Sequence, residues 1–302
     1  MAASRGPAEP TRRPRARIRP EALAAARGGA VEGLAWLGRT PESKASILVR
    51  LLSILVRFLL YGVFRFRLRV ERREWLPGTG AGRPAGGYLL VAGAHRGWMD
   101  PFVVLEALPL EPRVWFLGSG PSTFAVRLRE RLAHRVGGLL PVWRGGVGID
   151  GHVEAVRAVL ANGGVVGQMP EGNVNGPAGA IGPFRPGAML IALRTGAPIV
   201  PMAIAGTEEL YIGRRMAARI LAPTTFAELC REAGVVWDGV PPATDSRVEL
   251  DLAKAATAAL AARIGPVVEA LHPATIDPPG RRRLLRHRLT WLLLGPGRLD
   301  RD

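Results

Sequence analysis

Between Tyr88 and Ile204, short apolar runs alternate with segments whose apolar residues recur every three or four positions. The runs Tyr88–Ala92, Val114–Leu117, Leu139–Trp143, Val165–Gln168 and Ile199–Ile204 have the length and composition of strands. Phe102–Leu108, Ser122–Val136, His152–Ala161 and Gly187–Thr195 carry helical spacing. Strands that alternate with helices predict an α/β fold with a mixed or largely parallel sheet flanked by helices. Upstream, Phe64–Val70 alternates apolar residues with Arg65, Arg67 and Arg69, the period of an edge strand with one apolar and one basic face. Beyond Gly206 the spacing turns helical over Glu208–Leu221, Thr225–Ala233 and Val248–Leu271, which predicts a helical C-terminal extension interrupted at Pro241-Pro242.

The most apolar stretch is Ser46–Phe64, long enough to cross a bilayer, yet Ser46, Arg50, Ser53 and Arg57 recur on one helical face. An arginine near the centre of a spanning helix costs about 2.5–3.5 kcal/mol, and this stretch has two. A helix lying in the membrane interface avoids that cost, with the polar stripe at the headgroups and Ile47, Leu48, Leu51, Leu52, Leu55, Phe58 and Leu59 among the acyl chains. The alternative is a helix packed on the protein's own core. The chain then divides into a disordered basic tail (1–40), an amphipathic membrane-associating helix (41–65), the α/β core (66–206), the helical extension (207–280) and a basic amphipathic tail (281–302). In that last segment Arg281, Arg282, Arg283, Arg286 and Arg288 mix with Leu284, Leu285, Leu289 and Trp291, the pattern of a second membrane contact or of a frayed end.

Composition narrows the classes. A 302-residue chain that is 48% hydrophobic buries a sizeable core, so collagen-like and wholly disordered readings are excluded. The net charge of +16 comes almost entirely from arginine, since Lys44 and Lys254 are the only lysines, and it favours polyanions. No zinc-finger spacing or aromatic RNA-binding signature accompanies the arginines, so an anionic membrane surface is the expected partner and nucleic acid is not. Cys230 is the only cysteine, which leaves neither a disulfide framework nor a cysteine metal cluster. His134, His152, His272 and His287 form no ligand pair at helical spacing, so no metal is expected. The first forty residues lack an early apolar run ending at a small-residue cleavage site and do not read as a signal peptide.

Candidate chemistry begins at His95-Arg96-Gly97-Trp98-Met99-Asp100. His95 and Asp100 lie about 140° apart on a regular helix and cannot pair there. They can pair where a strand ends, the chain turns at Gly97, and a helix starts at Pro101. Asp100 then fixes one imidazole nitrogen and leaves the other to take a proton from an attacking hydroxyl, with no serine nucleophile required. Each residue also has a purely structural explanation, Asp100 as a helix N-cap before proline and His95 as a core histidine. Downstream, Val165–Gln168 runs into Pro170-Glu171-Gly172-Asn173, which by itself reads as a turn.

Taken together these segments resemble the glycerolipid acyltransferase family typified by 1-acylglycerol-3-phosphate acyltransferases, with four blocks in family order. His95 and Asp100 match the His-x4-Asp block, and Gly138–Arg144 is similar to the block that ends in Arg. Pro170-Glu171-Gly172 matches the start of Pro-Glu-Gly-Thr-Arg, while Phe184-Arg185-Pro186-Gly187 followed by Pro198–Pro201 resembles the closing block. The resemblance implies transfer of a fatty acyl group from acyl-CoA or acyl carrier protein to a lipid hydroxyl. It implies His95 as general base, Asp100 orienting it, Glu171 and Gly172 shaping the acceptor site, and Arg144 on the acceptor phosphate. The acyl thioester would be a cosubstrate, and no tightly bound cofactor is implied. The work would be done at the cytoplasmic face of the cell membrane by a peripheral or monotopic protein. Asn173-Val174 replaces the family's Thr-Arg, so the acceptor is lysophosphatidic acid-like with Arg185 or Arg194 compensating, or a non-phosphate lipid or glycolipid hydroxyl.

Two rival enzyme readings exist. Gly146, Gly148 and Gly151 after the strand Leu139–Trp143, with Glu171 twenty residues on, have the outline of a dinucleotide-binding fingerprint, although Arg144 and Gly145 intervene before its first glycine. Gly118-Ser119-Gly120 falls short of a serine-hydrolase elbow.

Overall fold

β-Branched and leucine-rich runs pair through the middle of the molecule, and amphipathic helices cover both faces of the sheet they form. The computed structural model describes residues 40–77, 87–97, 99–119, 131, 135–142, 149–172, 177–244, 246–280, 282–286 and 288–290. Within them, β1 (Arg67–Glu71), β2 (Tyr88–Gly93), β3 (Val114–Ser119), β4 (Leu139–Val142), β5 (Val165–Gln168), β6 (Ile199–Ala205) and β7 (Arg215–Ile220) make one sheet in the order β1-β7-β6-β2-β5-β3-β4. Every neighbouring pair is parallel except β6 with β7. The fold is α/β, as the alternation of patterns predicts.

Side chains on β2 divide by parity, because successive strand residues point to opposite faces. Leu89 and Val91 join one buried cluster with Val153, Val156, Met189, Ile191, Phe226, Leu252 and Ile264. These come from α3 (Ile149–Ala161), α4 (Gly187–Thr195), α5 (Phe226–Glu232) and α6 (Arg247–Leu271). Tyr88, Leu90 and Ala92 join the other cluster, with Val103 and Val104 of α2 (Asp100–Ala107). All six β2 residues are buried, as befits a central strand covered on both sides.

One predicted element is corrected. Glu208–Leu221, expected to be helical, contains β7, which runs antiparallel to β6 and parallel to β1. Ala217 and Ala218 favour a helix in isolation, but between two strands their small side chains, with Met216 and Ile220, bury completely and the ladder wins. The 207–280 segment is therefore a strand followed by two helices. β1 forms the sheet edge, as its arginine alternation predicts, with Arg67 and Arg69 exposed.

The N-terminal amphipathic segment is helical from Ile47 to Arg57 (α1), capped by Ser46, and widens into a π-helical turn over Phe58–Val63. Its orientation inverts the expected use of the polar stripe. Arg50 pairs with Glu111 and Arg57 Nε lies 2.9 Å from Glu106 Oε2 of α2, so the arginines tie the helix to the core. No residue of α1 is buried, and its apolar face points outward, with Ile47 78% and Phe58 63% exposed. No helix among the described residues is long and apolar enough to cross a membrane. At the other end, Arg283 and Arg286 pair with Glu209, and Leu289 and Thr290 are buried, so this part of the basic tail docks on the core.

Candidate active site

Two loops meet at the carboxyl end of the sheet. β2 and β5 are adjacent and parallel, with Val91 opposite Gln168, so the chain leaving β2 toward His95 emerges beside the chain leaving β5 toward Glu171. The adjacency of two parallel strands thus joins residues 76 positions apart, at the edge where open α/β sheets characteristically carry their sites.

The first loop holds a closed hydrogen-bonded unit. His95 Nδ1 and Asp100 Oδ2 are 2.7 Å apart, and the same Oδ2 accepts from the Gly97 amide at 2.7 Å and from the Arg96 amide. Asp100 opens α2 beside Pro101, but its side chain makes no capping bond to that helix and turns back on the loop instead. The N-cap explanation for an aspartate before proline therefore does not describe this residue. The carboxylate is fully buried and lies in the first turn of α2. The His95 ring is 18% exposed, and among the described residues Nε2 has no hydrogen-bond partner. With Nδ1 held by the carboxylate, Nε2 is the atom available to a solvent-side proton donor.

Glu171 anchors this loop from the other side. Its Oε1 accepts the His95 amide at 2.9 Å and its Oε2 lies 3.1 Å from Arg96 NH1. Burial raises its pKa above the ordinary glutamate value, against the opposing pull of the His95 amide, the Arg96 charge and the Gly182 amide. Gly172 follows with φ of 63°, closing a turn in which its amide donates to Met169 O at 3.0 Å. A left-handed residue of this kind is strained for side chains other than glycine, which accounts for Gly after Glu here.

Arg185 is exposed and close to this turn, its amide donating to Pro170 O at 2.8 Å. Arg194 is elsewhere. It is buried in pairs with Glu249 at 2.6 Å and Asp150 at 2.5 Å, tying α4 to α6 and α3, so it cannot stand in as a substrate cation. Arg144, Gly146, Gly148, Asn173 and Val174 lie outside the described residues. Among the described residues no group of three His, Cys, Asp or Glu side chains could hold a metal ion.

The dinucleotide reading meets two obstacles. A Rossmann unit needs the glycine-bearing strand and the acid-bearing strand side by side, but β3 separates β4 from β5. Glu171, its required ribose ligand, is instead bonded to His95 and Arg96.

Arg96 is the site residue that sequence reasoning missed. It is 1% exposed and bonds groups in three segments, none of which is near it in the chain except His95. Only its position directly after His95 could have drawn attention to it.

Residues 67–205 match the family model described as Acyltransferase. No curated protein matches the chain. Among solved structures, the chain is similar to the 1-acyl-sn-glycerophosphate acyltransferase PlsC from Thermotoga maritima, at 20% identity and a TM-score of 0.41. The match covers 68% of this chain and 73% of that one.

Proposed function

We propose, on the match of residues 67–205 to the Acyltransferase family model, that the chain transfers a fatty acyl group from acyl-CoA or acyl carrier protein to a glycerolipid hydroxyl, with His95 as general base. The observation that carries this reading is the 2.7 Å contact between His95 Nδ1 and Asp100 Oδ2, which leaves Nε2 as the unengaged nitrogen, among the described residues, of a partly exposed ring. The acceptor hydroxyl gives its proton to Nε2 as its oxygen attacks the thioester carbonyl. Asp100 keeps the other nitrogen protonated and stabilises the imidazolium. The tetrahedral intermediate then collapses, the carbon–sulfur bond breaks, and the thiolate takes the proton from His95.

The acceptor is a lysophosphatidic acid-like lipid whose phosphate meets Arg144 and Arg185, with Glu171 and Gly172 forming the turn beside it. Arginine suits that role because its donor fork matches phosphate oxygens. The exposed apolar face of α1 supports attachment to a membrane surface, and the net charge of +16 favours an anionic one, as at the cytoplasmic face of the cell membrane; attachment brings the site to an acceptor that does not leave the bilayer. A second reading of the acceptor, a non-phosphate lipid or glycolipid hydroxyl, is favoured by Asn173-Val174 in place of Thr-Arg.

The test is acyl transfer by the purified protein to a panel of lysolipids and glycolipids, read by mass spectrometry. Wild type is expected to acylate at least one class, and His95→Ala is expected to lose at least about a hundredfold in turnover while remaining folded. Near-wild-type turnover by that folded variant would defeat the mechanism, and the class that gains mass decides between the two acceptors.

A further inference from the structure

We propose that Arg96 is a positioning residue for His95, acting as a buried bracket that holds the imidazole's own peptide between the β5 turn and the 177–182 loop. This inference rests on His95 as the proton acceptor and extends the machinery to a residue that touches neither substrate nor the imidazole ring.

The argument starts from where the guanidinium goes. NH1 donates to Glu171 Oε2 at 3.1 Å and to the His95 carbonyl at 3.1 Å. NH2 donates to Pro177 O at 3.1 Å and to Ala180 O. Glu171 completes the circuit by taking the His95 amide on its other oxygen. The His95 residue is thus held at its amide by Glu171 and at its carbonyl by Arg96, and those two holders are paired with each other. Its remaining degree of freedom is the side chain, which Asp100 fixes.

Arginine is the residue type this bracket requires. A planar fork reaches a carboxylate and three carbonyls from one rigid group, whereas a lysine ammonium on a flexible stem cannot span them together. A charge this deeply buried is costly unless paired and hydrogen-bonded, and here Glu171 supplies the opposite charge while NH1 and NH2 both donate hydrogen bonds. The bracket also carries the 177–182 loop. On that loop's far side the Gly179 amide faces Glu208 Oε1 at 3.4 Å, and a side chain at Gly179 would collide with the His272 ring. The loop is therefore clamped between the catalytic loop and the segment that follows β6.

A misplacement of His95 by about 1 Å is expected to cost on the order of a hundredfold in rate. Arg96→Met should therefore lower kcat by about that factor with KM within threefold, since no substrate contact is removed. Because Arg96→Met strands the Glu171 carboxylate and threatens folding, Arg96→Lys serves as the second variant. It keeps a charge beside Glu171 but should restore no more than about a tenth of wild-type kcat. A readout independent of substrate is the downfield imidazole N–H proton resonance expected from the His95–Asp100 bond, assigned by its loss in Asp100→Asn. It should broaden or vanish in both Arg96 variants. Retention of that resonance with kcat within twofold of wild type, in either folded variant, overturns the proposal, as does a loss confined to KM. If wild type acylates nothing in the lipid panel, the functional reading fails on its own, and the resonance alone decides whether Arg96 positions His95.

Discussion

Asp100 opens a helix that it does not cap. Its carboxylate instead collects His95 Nδ1 and the Arg96 and Gly97 amides on one oxygen. A side chain so committed orients the ring and favours the charge that forms there, and an amide in its place can do only the first. Asp100→Asn is expected to lower turnover by roughly a thousandfold or more with the fold retained, and turnover within tenfold of wild type would separate the pair's geometry from its chemistry. Glu171 makes a different prediction, through pH. Its raised pKa means that the folded protein holds this proton more tightly than the unfolded chain does. The corresponding stability is fully present below the ordinary glutamate pKa and is lost as pH rises through the raised value. The stability gap between wild type and Glu171→Gln, from urea titrations, should therefore shift in the variant's favour as pH rises through that window. A shift the other way would mean the Arg96 pair outweighs burial. His95 and Asp100 were legible in the sequence because five residues around a glycine encode their meeting. Glu171 was legible only as part of the turn after β5, and its contact with Arg96 was not, since that depends on two strands lying side by side 75 residues apart.

Among the elements, α1 carries the sharpest consequence. Its amphipathic spacing was plain in the sequence, but which face would turn outward was not, because the answer lies in Glu106 and Glu111 on distant segments. With the arginines tied inward, an apolar ridge from Ile47 to Phe58 faces out. Burying each large apolar side chain contributes about 1.5–3 kcal/mol. Leu51→Glu combined with Phe58→Glu is thus expected to weaken binding to anionic vesicles at least about a hundredfold in a flotation assay. Exposed positions cost little on folding, so the unfolding free energy should change by no more than about 0.5 kcal/mol per site. Unchanged flotation would assign the ridge to another partner. β7 shows the opposite relation between pattern and outcome, since Arg215-Met216-Ala217-Ala218-Arg219-Ile220 has the composition of a helix and becomes a strand only because β1 and β6 leave a slot between them.

For the whole molecule, the alternation of short apolar runs with helical spacing sufficed for an α/β sheet, because local periodicity reports local structure. Strand order did not follow from it. Nothing in the runs themselves says that β2 sits between β5 and β6, or that β3 separates β4 from β5, yet those adjacencies assemble the His95 site and dismantle the dinucleotide one. The amides of His95, Arg96 and Gly97 all donate to carboxylates rather than to a backbone ladder, but the carboxylates differ in origin. Asp100 belongs to the same loop, so local opening frees the Arg96 and Gly97 protons. The His95 proton is held by Glu171 across a strand boundary and becomes free only when β2 and β5 part. In native-state hydrogen exchange the His95 amide should therefore be protected with a free energy close to that of the central strands, while its two successors exchange faster. A single loop amide would then report whether the sheet is intact, and three equally labile amides would show that the two loops separate without it.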